Sequence, residues 1–181
     1  MMYDEGSADP MRWSYSKFVA GLFVKPATPE ERLAHAAVGI IGEIVELAQA
    51  DTRENQLEEL GDLKFYIEAA KQQLPEAVYI RGMNFPKSLN QSLTKALYAA
   101  ADFLDLSKKV WIYAAPIEKH EGALRQALAR VENALERYEE LCWFTSTEVE
   151  LGNREKLIKR YPGAGYTDAA AQARADKPAG A

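Results

Sequence analysis

The 181-residue chain is 48 % hydrophobic and 27 % charged, enough apolar content for one domain with its own core and too much for a disordered chain. A net charge of −5 excludes a surface built to coat duplex nucleic acid, although a small nucleotide carried with a cation stays compatible with it. One cysteine, Cys142, and two histidines, His35 and His120, exclude an internal disulfide framework, argue against a zinc site of Cys and His ligands, and fit a reducing, cytoplasmic setting.

Residues 1–12 read as a flexible leader, with Asp4, Glu5 and Asp9 and no apolar stretch of the signal-peptide kind. A short apolar run, Trp13 to Val24, ends at Pro26-Ala27-Thr28-Pro29. Thr28 is a natural N-cap, with Pro29 at the first helical position and Glu31 at the third. Leu33, Ala37, Ile40, Ile44 and Leu47 then recur at helical spacing, predicting a helix to about Ala50, with a polar turn over Asp51 to Asn55. A second helix is expected from near Gln56, with Leu57, Leu60, Leu63 and Ile67 as its stripe, ending near Leu74-Pro75. Residues 75–88 read as a connecting loop, with Val78-Tyr79-Ile80 as a short extended piece.

Further helices are predicted over Ser88 to Tyr113, from Ile117 or Glu121 to Phe144, and over Thr147 to Lys159. The tail, residues 166–181, reads as flexible, so the domain proper is placed at 13–165. Strand signals are nearly absent, so the expected fold is an all-α bundle of four to five helices. No apolar stretch approaches the roughly 18 residues of a membrane span. A weak internal repeat relates Val38 to Leu47 with Leu97 to Leu106, and Asp102 and Asp105 fall where Glu43 and Glu46 fall in the first copy. Two amphipathic hairpins similar by pattern alone, or a duplicated hairpin, would each produce it.

The chemistry lies in two acidic signatures, Glu43-x-x-Glu46 and Glu59-x-x-Asp62, on consecutive helices. Residues three apart share a helix side, so antiparallel packing can bring all four carboxylates to one seam. Mutual repulsion destabilises such a cluster when it is empty. Hard divalent cations, Mg²⁺ or Mn²⁺, relieve the repulsion and bind jointly to substrate phosphates. Gly42 and Gly61 sit beside the acids, where glycine costs about 1 kcal/mol of helix stability relative to Ala; close helix approach or room for a ligand would explain both. Solvated helix faces also carry glutamates, and Glu54, Glu58 and Glu68 are assigned to that class.

Asn153, Lys156 and Arg160 share one helical face and are candidates for phosphate contacts, with Lys109 preferred over Lys108 as a further one. Trp111 and Tyr113 are either core or base-stacking residues, with core preferred. Trp13, Phe18, Phe65, Tyr66, Tyr138, Trp143 and Phe144 are assigned to core or subunit contacts. His35 is read as a helix-face residue, Cys142 as a buried apolar one, and Asp102 and Asp105 as either a vestigial metal pair or surface charge, with surface charge preferred.

Gly42-Glu43-x-x-Glu46-Leu47 followed by Glu58-Glu59-Leu-Gly-Asp62-Leu-x-Phe-Tyr66 resembles the E-x-x-E…E-x-x-D core of the all-α, MazG-like nucleoside triphosphate pyrophosphohydrolases. Asn153-x-x-Lys156-Leu157-x-x-Arg160-Tyr161-Pro162 is similar to the N-x-x-K-L-x-x-R-Y-P element that follows the core helices in many phage and bacterial members. Lys108-Lys109-x-x-x-Tyr113-x-x-Pro116 is similar to a segment that lies between the two acidic signatures in many relatives. Here it follows both, which favours the duplicated hairpin and resembles the dimeric dUTPases of the same superfamily. The resemblance spans about residues 30–165.

It implies cleavage of a (deoxy)nucleoside triphosphate between the α and β phosphates, giving the monophosphate and pyrophosphate. Glu43, Glu46, Glu59 and Asp62 would then hold two or more Mg²⁺ or Mn²⁺ ions. Glu46 is the preferred proton acceptor, and Glu59 is the carboxylate whose loss is expected to abolish turnover. It further implies a homodimer or homotetramer in the cytoplasm, a host's cytoplasm for a phage-encoded chain, with no partner among duplex nucleic acids or membranes. A purine nucleotide such as (d)GTP is the favoured substrate. A dUTPase-like enzyme and a non-catalytic nucleotide-binding or helical interaction module are the alternatives.

Overall fold

The computed structural model describes residues 3–24, 27–74 and 86–176. Among them are seven α-helices and no strand: α1 (Tyr15–Leu22), α2 (Pro29–Gln49), α3 (Arg53–Lys71), α4 (Leu89–Ile112), α5 (Ile117–Leu141), α6 (Ser146–Arg160) and α7 (Asp168–Ala173). The expected all-α bundle is therefore observed, with short α1 and α7 added to the five helices anticipated. The expected 75–88 loop and its Val78-Tyr79-Ile80 piece lie outside the described residues, apart from 86–88. So do Pro26 and the chain ends, residues 1–2 and 177–181.

Side-chain caps decide where most of these helices begin. Ser14, Thr28, Thr52, Ser88, Thr145 and Thr167 each accept a hydrogen bond from a backbone N–H in the first turn. Thr28 with Glu31 and Thr145 with Glu148 form reciprocal capping boxes. The Thr52 cap starts α3 at Arg53, three residues before the apolar stripe suggested, and leaves only a tight corner between α2 and α3. Helix α5 starts after Pro116 without a side-chain cap.

Helices α2 and α3 form one hairpin, α4 and α5 a second, and α2 packs on α4 to join them. The main core lies between the two hairpins. Leu33, Ala37, Ile40, Ile44 and Leu47 of α2 are all buried there, with Leu60, Leu63 and Ile67 of α3, Phe103 of α4 and Tyr138 of α5. A smaller cluster of Phe18, Leu22, Leu157, Tyr161 and Ala164 holds α1 and α6 against α3.

Glycines in α2 and α3 permit close contacts. A Cβ on Gly61 would sit 2.8 Å from Asn153 Cβ, and one on Gly39 would sit 2.5 Å from the Tyr66 ring. Gly42, expected to serve an approach or a ligand, has no protein atom within 4 Å of where its Cβ would be; that side of α2 is open.

The leader is folded onto the bundle. The Asp4 N–H donates to Arg12 O at 2.7 Å and Trp13 Nε1 to Ser7 O at 2.7 Å. Buried Arg154 donates to Pro10 O at 3.3 Å, its guanidinium lying over the rings of Tyr15 and Phe18. The first part of the tail is likewise structured, as α7. Phe18, Tyr138 and Phe144 are buried as expected, and Trp13, Phe65 and Tyr66 are half-buried. Trp143 departs from expectation: it is 87 % exposed in a left-handed conformation with φ of 58°. Cys142 is half-buried, not enclosed.

Candidate functional site

The tight α2–α3 corner sets the antiparallel register that places Glu43 and Glu46 opposite Glu59. Each of the three offers a carboxylate oxygen within 4.8 Å of the others. They line a cavity of about 460 Å³ together with Asp62, Lys156, Arg160, Tyr161 and Tyr166 and the rings of Phe23, Phe65 and Tyr66.

Burial dominates the electrostatics. Glu43 is pushed up to about 8, first by burial and then by Asp62, by its hydrogen bond with Glu59, and by Glu46. Burial also raises Glu59. Near neutrality Glu43 therefore holds a proton and donates it to the Glu59 carboxylate, which keeps like charges together without a cation. Tyr66, beside Glu43, is pushed up to about 12 by burial and then by Glu43 and Asp62. Its phenol stays protonated throughout the neutral range.

Asp62 stands apart from the other three. It is drawn toward α6, accepting from Asn153 Nδ2 at 2.9 Å and from the Lys156 ammonium. Asn153 is held in turn by the Tyr15 hydroxyl, which donates to its Oδ1 at 2.9 Å. Burial raises Asp62 while Lys156 lowers it, and burial wins. The structure thus gathers Glu43, Glu46 and Glu59 into one group, and Asp62, Lys156 and Arg160 line the same cavity. Asn153 acts on Asp62 and is itself 2 % exposed.

Other expected residues fall elsewhere. Lys109 pairs with Asp105 at 2.7 Å on the surface of α4 and does not line this cavity. Trp111 and Tyr113 are exposed at the end of that helix, not core. Asp102 pairs with Arg130 at 2.9 Å and Asp105 also with Lys108 at 2.9 Å, both as surface charge.

The wall also contains residues that the sequence reading passed over. Glu58, assigned to solvent, instead lines the cavity and accepts from Lys156 Nζ at 3.1 Å. Its adjacency to Glu59 in the motif string was the available signal. His35 stacks on Phe23 at 4.8 Å and joins the aromatic side. Tyr166, Ala171 and Arg174 come from the tail and close one flank. Nothing in their spacing announced this.

The donor set fits a hard divalent cation. All three convergent groups are carboxylates, and Mg–O bonds near 2.1 Å place ligand oxygens about 3 to 4.2 Å apart, so shifts of about 1 Å close the set. A cation would also take the place of the Glu43 proton. A second cavity of about 470 Å³ on another face of α3 is also rich in glutamates, with Lys64 paired to Glu139 at 3.3 Å and Lys71 to Glu132 at 2.9 Å, but among the described residues no three of its acids converge as Glu43, Glu46 and Glu59 do. Among the described residues no helix is long and apolar enough to cross a membrane. Comparison with known proteins finds no match among protein-family models, curated proteins or solved structures.

Proposed function

We propose that the chain is a metal-dependent nucleoside triphosphate pyrophosphohydrolase, releasing pyrophosphate and a nucleoside monophosphate, and that it acts as a homo-oligomer. The observation that carries this reading is the lining of one cavity, which combines three convergent carboxylates with Lys156, Arg160 and the rings of Phe23, Phe65 and Tyr66. A nucleoside triphosphate has the complementary kinds of group, a polyphosphate that needs cations and a flat apolar base. The likeness of the acidic and Asn153–Arg160 motifs to MazG-like enzymes supports the same reaction.

Glu43, Glu46 and Glu59 would hold Mg²⁺ or Mn²⁺, with Asp62 joining when Lys156 turns to substrate. When bound, the metal supplies charge neutralisation on the phosphates and a lowered pKa for a coordinated water. The protein's own groups do the rest. Glu46, the most exposed of the three, accepts the proton of the attacking water. Lys156 and Arg160 hold the departing pyrophosphate oxygens. Phe23, His35 and Tyr66 border the position of the base, for which we propose a purine.

A pyrophosphate-release screen across the canonical NTPs and dNTPs with dUTP, in Mg²⁺ and Mn²⁺, tests the reading. Turnover is expected, and Glu59→Gln should lose about a hundredfold or more while keeping its fold, as removal of a transition-state charge contact does. Strongest release from dUTP would move the substrate to the dUTPase side. No release with any nucleotide, or full turnover by Glu59→Gln, would reject the assignment.

A further inference from the structure

Arg160 is not open to an incoming phosphate. Its Nε and one terminal nitrogen both engage the Asp176 carboxylate, which is 0 % exposed. The two parallel donors that fork onto a carboxylate are those that fork onto two phosphate oxygens, so one guanidinium edge cannot serve both.

The chain before Asp176 is built to reach this point and is held lightly. Tyr166 stacks on Tyr161 at 5.6 Å, and α7 runs only six residues with none buried. Arg174 then adopts a left-handed conformation with φ of 46° that stops the helix and turns the chain back toward α6. Ala171 and Arg174 consequently flank the cavity. A segment with so little buried apolar surface opens at low free-energy cost.

We propose that Asp176 is a tethered anion occupying the phosphate position at Arg160, and that a polyphosphate ligand binds by displacing it and releasing α7. This rests on reading Lys156 and Arg160 as phosphate contacts. The tail is thereby a competitive, intramolecular brake on the cavity. A phosphate ester carries more charge than the carboxylate and takes the fork from it, while small monocarboxylates do not gain over a tethered one. Apparent affinity is lowered by the fraction of chains whose tail is undocked, about tenfold for a tail that is undocked in one chain in ten.

The test measures binding of inorganic pyrophosphate with Mn²⁺ by calorimetry, using the full chain and the variants Asp176→Asn and Asp176→Glu. It also measures amide exchange over residues 168–176. Asp176→Asn should bind about tenfold tighter than wild type, Asp176→Glu should stay near wild type, and pyrophosphate should speed exchange across α7 in the wild-type chain. Equal affinity for wild type and Asp176→Asn, slowed exchange, or no binding by any variant would each overturn the proposal. Nucleotide turnover is scored separately. If wild type releases no pyrophosphate from any nucleotide while Asp176→Asn binds it more tightly, the enzyme reading fails and the brake holds. If wild type turns over and Asp176→Asn gains nothing, the brake alone fails.

Discussion

Asn153 reaches Asp62 across the α3–α6 contact, its Nδ2 donating to Asp62 Oδ1 at 2.9 Å. Gly61, one residue before Asp62, makes room for it, since a side chain there would meet Asn153 Cβ at 2.8 Å. Helices α6 and α3 are thus coupled at a carboxylate that lines the cavity and also accepts from Lys156. Replacing Asn153 with Ala removes the donor to Asp62 and the acceptor for Tyr15 together. An unsatisfied buried polar group costs about 1–3 kcal/mol. Chemical denaturation should therefore show Asn153→Ala less stable by that order, whereas an unchanged midpoint would mean that water satisfies both groups.

The stability of the chain without divalent ions should fall as pH rises. Glu43 has an ordinary value of 4.5 and lies at about 8 in the fold. Between those values the native state keeps a proton that the unfolded state has lost, so unfolding free energy decreases with pH. Glu59 and Asp62 are raised as well and act in the same sense. On the proposed reading Mn²⁺ would bind the deprotonated cluster, and its stabilisation should then grow over the same window, reaching about 2.7 kcal/mol at a hundredfold excess over Kd. Melting temperatures with and without Mn²⁺ across this range provide the measurement. A Mn²⁺ effect that does not depend on pH would separate the ion from Glu43.

The two glycines beside the acids should respond oppositely to alanine. At Gly42 the new methyl meets open space, and helix propensity alone should stabilise the chain by up to about 1 kcal/mol. At Gly61 the methyl meets Asn153, and overpacking should destabilise by about 1–3 kcal/mol. Urea midpoints of the two single variants decide this, and equal signs would contradict the close approach of α3 and α6.

Trp143 ends α5 in a left-handed conformation, and Arg53 locks that end by donating to Cys142 O at 2.8 Å and Trp143 O at 3.3 Å, its guanidinium 4.0 Å over the Phe144 ring. Left-handed backbone costs an L-residue roughly 1–2 kcal/mol, part of which glycine returns as entropy of the unfolded chain. Trp143→Gly should thus be neutral or more stable by up to about 1 kcal/mol, while Arg53→Met should be less stable. A thermal shift assay showing Trp143→Gly strongly destabilised would mean that the exposed indole is held by a contact in solution, such as another copy of the chain.

The sequence by itself determined the five long helices and the apolar stripes of α2 and α3, because a 3.6-residue period is a local property that needs no neighbour. It pointed to Glu43, Glu46, Glu59 and Asp62 as one group for the same reason, a short corner between two periodic helices that leaves little freedom of register, and the first three converge. It did not determine what Asp62 faces, that Glu58 belongs to the cavity wall, or that Lys109 stays with Asp105. Each depends on how α6 settles on α3, an approach fixed by Gly61 and Asn153 across more than ninety positions of chain. Least visible was the tail, whose alanine-rich composition carries no period. Only its landing beside Tyr161 and Arg160 makes it part of the site, because a lightly packed segment takes its structure from the charge and the ring it meets.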